Sequence, residues 1–287
     1  MLGKLIKHEW KSTCKVGCLM LLILLVVTFF GWLSWQTPMW QAIGNETAVV
    51  NTSIWDIFSI FMMMIYMVML VGVIYGIMIY LGVHFFKTMY TDQGYLTHTL
   101  PVTKHQILGS KILVSGLWYM IIMIAVYVSM ILWFLSLASL MIPEGYSLAG
   151  AWKEIAPELG IALENFKTEL GWDLRSTGIY ILVYTLIAPF SGLTILFGSI
   201  TLGQLFHKAR VIMAIVCYIG MSVLLSLFSS VFQSFNFVNV FTDLAEEMAF
   251  GKYMNGILGF TMVTSLIMAV ILYFVSHYII SKKLNME

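Results

Sequence analysis

Histidine, cysteine and carboxylate side chains are where this chain could hold a metal or run acid–base and covalent chemistry. It has 6 histidines, 3 cysteines and 14 acids in 287 residues. His98 and His105 share one polar stretch, but their spacing matches no established ligand pattern and no cysteine lies near. They read as contact residues. Cys14, Cys18 and Cys217 do not make a disulfide framework. Glu246-Glu247 lacks the following arginine that an intramembrane protease would need, so it reads as a solvated acidic turn. There is no HExxH and no GxSxG. Gly3-Lys4 and Gly251-Lys252 are followed by Leu and Tyr, so neither closes a P-loop. The chain is expected to be no enzyme and to bind no metal or nucleotide itself.

The elements around these residues explain the shortage. The chain is 60% hydrophobic and 10% charged, against about 25% charged in a soluble domain. That composition predicts a polytopic membrane protein. Six segments reach the roughly 20 residues that a spanning helix needs: Gly17–Trp35, Ile57–Val83, Ile112–Ile142, Gly178–Gly203, Val211–Phe232 and Gly256–Ile280. The first is too long for a cleavable signal and lacks a small-residue cleavage site. Helices are the only open-chain solution in lipid, so the fold is expected to be all-α with six transmembrane helices. No Asp, Glu, Lys or Arg falls in the middle of a span, which argues against a self-sufficient ion-coupled carrier. Ser115, Tyr119, Ser129, Tyr184 and Thr194, with Gln204 just past the fourth span, read as interhelical bonding groups.

Charge sets the orientation. Both termini and the second and fourth connections hold 11 of the 15 basic residues and 3 of the 14 acids, a net of +8 against −7 across the membrane. The basic side is read as cytosolic. There lies the polar island Thr88–Lys111, within a cytosolic loop expected over 84–111. Residues 1–16 are read as an amphipathic interfacial helix. Lys4, Lys7, His8, Lys11 and Lys15 share one face, and Leu2, Leu5, Ile6, Trp10 and Thr13 the other. On the opposite side, 143–177 is acidic and carries Trp152, Ile155, Leu159, Leu163, Phe166 and Leu170 at helical spacing. It is expected to form a small external helical segment, as one helix or as two broken at Pro157, ending at Gly171. Residues 233–255 are expected as an external loop before span six, with room for a short helix partly dipping into the outer leaflet around Asp243–Phe250.

The stretch Asp92-Gln93-Gly94-Tyr95-Leu96-Thr97-His98-Thr99-Leu100-Pro101-Val102-Thr103-Lys104, followed by Ile107-Leu108-Gly109-Ser110-Lys111, resembles the ABC-2 type permease subunits of bacterial ABC transporters. These carry a GYL…TLPV stretch, a basic residue and a Gly/Ser-Lys pair entering the third span. The opening Met1-Leu2-Gly3-Lys4-Leu5-Ile6-Lys7-His8-Glu9-Trp10-Lys11 is similar to the family's amphipathic first helix. The resemblance covers the whole chain and is nearest to Gram-positive permeases. It implies a multi-pass subunit of the bacterial cytoplasmic membrane, paired with a second copy or a paralogue and driven by two separate ABC ATPase subunits that hold the ATP and Mg²⁺. By the resemblance the loop after span two would hold the coupling helix that fits a groove on the ATPase, and Asp92, Gln93, Gly94, Tyr95, Leu100 and Pro101 are the matching positions. Lys4, Lys7, Trp10, Lys11 and Lys15 belong to the interfacial helix alongside. The external segment departs from the most compact members, so no substrate class carries over.

The expected function is therefore an ABC permease, exporting an amphipathic, peptide or lipid-like compound. The missing P-loop and the uncharged span centres suit a chain whose energy comes from a partner. The alternative is a membrane sensor or immunity protein that binds a cationic peptide at its acidic external segment without transport. Neither reading involves nucleic acid.

Overall fold

The computed structural model describes residues 2–37, 54–99, 101–140, 173–206, 209–242 and 249–282, together with residue 40 and scattered positions between 150 and 168. Among the described residues the continuous helices are, in order, α1 (Leu2–Ser34), α2 (Ile54–Tyr90), α3 (Asp92–Thr99), α4 (Lys104–Leu140), α5 (Leu174–Gly203), α6 (Arg210–Thr242) and α7 (Ala249–Lys282). Among the described residues there is no strand. All but α3 are long and apolar enough to cross a membrane. At 1.5 Å per residue they measure about 45–55 Å, well beyond the ~30 Å of a hydrocarbon core. The chain is thus built as a multi-pass membrane protein.

The helices run past their expected ends. Residues 1–16 are not a separate element: α1 continues from Leu2 to Ser34. No proline interrupts it. The 84–111 island is mostly helix rather than loop. Here α2 runs to Tyr90, α3 fills 92–99 and α4 begins at Lys104. Likewise α6 extends to Thr242 and α7 starts at Ala249, so most of the loop expected over 233–255 is helical. Glu246 and Glu247 lie outside the described residues. So do Trp152, Ile155, Leu159, Phe166, Leu170 and Gly171 of the acidic segment, although every described position between 150 and 168, including Pro157, is helical.

The chain forms two compact units, Met1–Thr13 with Met78–Met120 and Ala162–Glu287, and Cys14–Ile77 with Ile121–Ile161. The second unit is a three-helix packing. Thr28 faces Ser129 and Trp35 faces Trp133, so α1 and α4 run parallel there. Gly31 meets Tyr66 and Met20 meets Gly76, so α2 runs antiparallel to α1. Its centre is polar but satisfied: the Ser129 hydroxyl bonds Thr28 at 2.7 Å and Tyr66 at 3.0 Å. This is the interhelical role expected of Ser129. In a low-dielectric setting such paired hydroxyls hold helices that apolar contact alone would not orient. Tyr66 and Trp133 stack beside them, 5.5 Å between ring centres.

In the first unit, α5, α6 and α7 pack together, with Ile195, Ala269 and Leu272 at the centre. The α5–α6 connection is tight. A Cβ at Gly203 would come within 2.6 Å of the Ala214 backbone, so glycine is needed for the close approach. Phe232 and Phe260 stack at 3.7 Å between α6 and α7. Phe85 on α2 and Phe197 on α5 stack at 4.1 Å, both almost fully buried. Asp173 caps α5 by accepting from the Arg175 N–H.

Candidate functional site

The expected contact residues surround α3, an eight-residue helix between two membrane-length ones. A one-residue break at Thr91 sets it off from α2. The Gly94 N–H donates to the Thr91 carbonyl at 2.7 Å, and a Cβ at Gly94 would run into the Met89 carbonyl. Only glycine lets the chain pass so close to the end of α2. From this turn Gln93 and Tyr95 project outward, Tyr95 with 62% of its surface exposed. Pro101, past the far end, is exposed too. Asp92 opens the helix, and Leu100 lies outside the described residues. A large aromatic held out on a short helix suits a contact surface.

The restart of the chain is also specified locally. Thr103 accepts from the Gln106 N–H through its hydroxyl, and the Gln106 side-chain oxygen accepts from the Thr103 N–H, both at 3.4 Å. This reciprocal capping box, in which the Gln106 N–H also donates to the Thr103 carbonyl at 3.0 Å, starts α4 at Lys104. Its sequence signature, Thr103-x-x-Gln106, is visible in the chain.

Behind α3 sits a buried polar cluster that the expected contact residues do not include. The Lys111 ammonium donates to the Glu9 carboxylate at 2.5 Å and to the Thr88 hydroxyl at 2.7 Å. His84 Nε2 approaches the other Glu9 oxygen at 3.3 Å. Lys111 is 4% exposed at its side chain, Glu9 13% and His84 15%. The cluster joins α1, α2 and α4 at the base from which α3 is hung. Lys111, at the end of the polar island, is therefore a buried ion-pair partner. Its position follows from phase: Ile107, Leu108, Val114 and Ser115 mark the buried face of α4, and residue 111 falls on that face. Glu9 is in phase with Thr13, one turn on, which is also buried.

In α1's first turns Leu5, Ile6, Trp10 and Thr13 of the expected apolar face are wholly or partly covered, while Leu2 is exposed. Lys4, Lys7, Lys11 and Lys15 are exposed. Trp10 is partly covered and stacks on Trp118 of α4, 4.8 Å between ring centres. The end of α2 is braced from the other side, where the Tyr90 and Thr201 hydroxyls bond at 2.7 Å. His105 stacks on His277 at 3.5 Å and bonds the Tyr273 hydroxyl at 3.2 Å. That stack places the two histidine rings face to face. Among the described residues no group of three or more metal-binding side chains forms.

A scan against protein-family models and searches of curated proteins and of solved structures return no match.

Proposed function

We propose that this chain is the membrane-spanning permease subunit of an ATP-driven ABC transporter of the ABC-2 type, in a bacterial cytoplasmic membrane. It works as a pair, with a second copy or a paralogue, and two separate ATPase subunits supply the energy by hydrolysing Mg²⁺-bound ATP. Its cargo leaves the cell and is amphipathic, peptide or lipid-like. The observation that carries this reading is α3. A short helix that exposes Tyr95, set between two membrane-length helices and backed by a buried ion pair, has the form of a lever that a partner can push. The +8 net charge on that side supports a cytosolic position for it.

Mechanically, a push on α3 reaches α2 through the one-residue turn at Thr91 and reaches α4 through its capped start at Thr103. The Glu9–Lys111–His84 cluster passes it to α1. ATP binding by the partner thus moves three spanning helices at once, and the pair alternates between inward-open and outward-facing states.

Affinity capture of the full-length chain from its native membrane tests this. A P-loop ATPase is expected to co-purify in stoichiometric amount, and Tyr95→Asp should cut its recovery at least tenfold without lowering the yield of the chain. Stable chain with no ATPase, or recovery unaffected by Tyr95→Asp, would overturn the assignment.

A further inference from the structure

Cys14 and Cys18 stand four residues apart on α1, and neither has a part in the permease reading. Residues at that spacing are neighbours on one face of a helix. Their sulfurs lie 3.7 Å from each other. Both thiols are free, Cys14 partly covered and Cys18 exposed, so a solute reaches the pair without unfolding the helix. Lys15 is exposed and precedes Cys18 by three residues. That spacing sets an ammonium beside the sulfur, and a neighbouring ammonium favours the thiolate, which is the form that binds metals. The same lysine keeps this turn at the water boundary of the membrane.

Two chemistries compete for such a pair, and geometry separates them. A disulfide needs its Cβ atoms about 3.8 Å apart and its sulfurs about 2.0 Å apart. Cβ atoms four residues apart on a helix stand about 5–6 Å apart. Closing that bond means distorting a helix that is continuous from Leu2 to Ser34. A bridging cation asks for far less movement. Two Zn–S bonds of about 2.3 Å at a tetrahedral angle of about 109° hold their sulfurs about 3.8 Å apart. The pair on α1 already has that separation. Softness narrows the ion further, because thiolates select Zn²⁺ and Cu⁺ whereas Ca²⁺ and Mg²⁺ take oxygen ligands.

We infer that Cys14 and Cys18 form a bis-thiolate site for a soft cation of the Zn²⁺ class. Both thiols lose their protons to water as the two sulfur–metal bonds form, and no electron is transferred. Among the described residues no third His, Cys, Asp or Glu joins them, so water or a small thiol fills the other two tetrahedral positions. This departs from the expectation of a chain without metal. The pair is easily passed over in the sequence, because a spacing of four aligns two thiols only once the segment is known to be helical. The inference is independent of the permease reading, since loading needs no ATPase.

The test uses the purified, fully reduced full-length chain in nanodiscs, with Zn²⁺ and with Cd²⁺ as its spectroscopic substitute. One Zn²⁺ per chain is expected, seen in native mass spectrometry as a gain of the ion's mass less two protons. Cd²⁺ should give a sulfur-to-metal charge-transfer band. Excess Mg²⁺ or Ca²⁺ should disturb neither. Cys14→Ser and Cys18→Ser should each weaken Zn²⁺ binding at least tenfold, and Cys217→Ser should leave it unchanged. Cys18→Ser combined with Leu19→Cys keeps two thiols in the segment but turns one off the shared face. It should bind as weakly as Cys18→Ser alone. The absence of a thiolate band overturns the site, as does binding that survives Cys14→Ser or follows the displaced thiol. One ion shared between two chains also overturns it, because the pair on one helix would then not suffice.

Discussion

Lys111 and Glu9 meet at 2.5 Å although 102 residues separate them, and both are largely shut off from water. A buried pair of this kind is weak net stabilisation but costly to break on one side, because the remaining charge is stranded. Lys111→Met or Glu9→Gln alone is expected to cost about 3–5 kcal/mol, and the double substitution to recover most of that loss. A double-mutant cycle on unfolding in mixed detergent measures it. Purely additive single effects would show that the two groups do not sense each other.

Gly94→Ala tests whether α3 needs its tight turn. The added methyl meets the Met89 carbonyl, so the local backbone must open. Helix content should stay at the wild-type level and the global unfolding midpoint within a few degrees of it, because the clash is confined to the turn between α2 and α3. ATPase association should fall with it. Wild-type association in a Gly94→Ala chain would mean that the shape of the turn does not matter.

Removal of the α4 cap has a smaller, local effect. Thr103→Ala deletes the hydroxyl that accepts from Gln106, and losing such a cap costs about 1 kcal/mol. Amide exchange should accelerate severalfold over residues 104–107 and remain unchanged further along α4. Exchange that rises along the whole helix would contradict a local cap.

The Phe85–Phe197 stack ties α2 to α5 in the first unit, with each ring about 1% exposed. Phe85→Ala should destabilise by about 3–5 kcal/mol, and Phe85→Leu by clearly less, because leucine refills part of the cavity. The unfolding free energy in detergent reads both. Equal costs would indicate that the site collapses around whatever is left.

Much of the fold is written in composition. Each of the six apolar segments appears as a helix, and the lysines of residues 4–15 lie on the exposed face that their spacing predicts. What composition hides is where polar runs stay helical. The island from Thr88 to Lys111 looks like loop because its residues are hydrophilic, yet the Thr103–Gln106 box and the Gly94 turn keep all but a few of its described positions in helices. Lys111 shows a second limit. Its helical phase marks it as inward-facing, but its partner sits on another helix far away in sequence, and no local pattern pairs them. The same holds for Ser129, whose bonding role was legible while its partners Thr28 and Tyr66 were not.

The distance in sequence between Glu9 and Lys111 also has a consequence for biogenesis. Ribosomes add about 5–20 residues per second, so α1 is made about 5–20 s before the lysine that neutralises its carboxylate. During that interval Glu9 must stay hydrated, which holds the first turns of the nascent helix at the water boundary while its apolar remainder already occupies lipid. Only the arrival of α4 lets the carboxylate leave water. The last adjustment of the first helix made thus waits on the third spanning helix, and a chain truncated before residue 111 should leave its N-terminus reachable by a membrane-impermeant reagent.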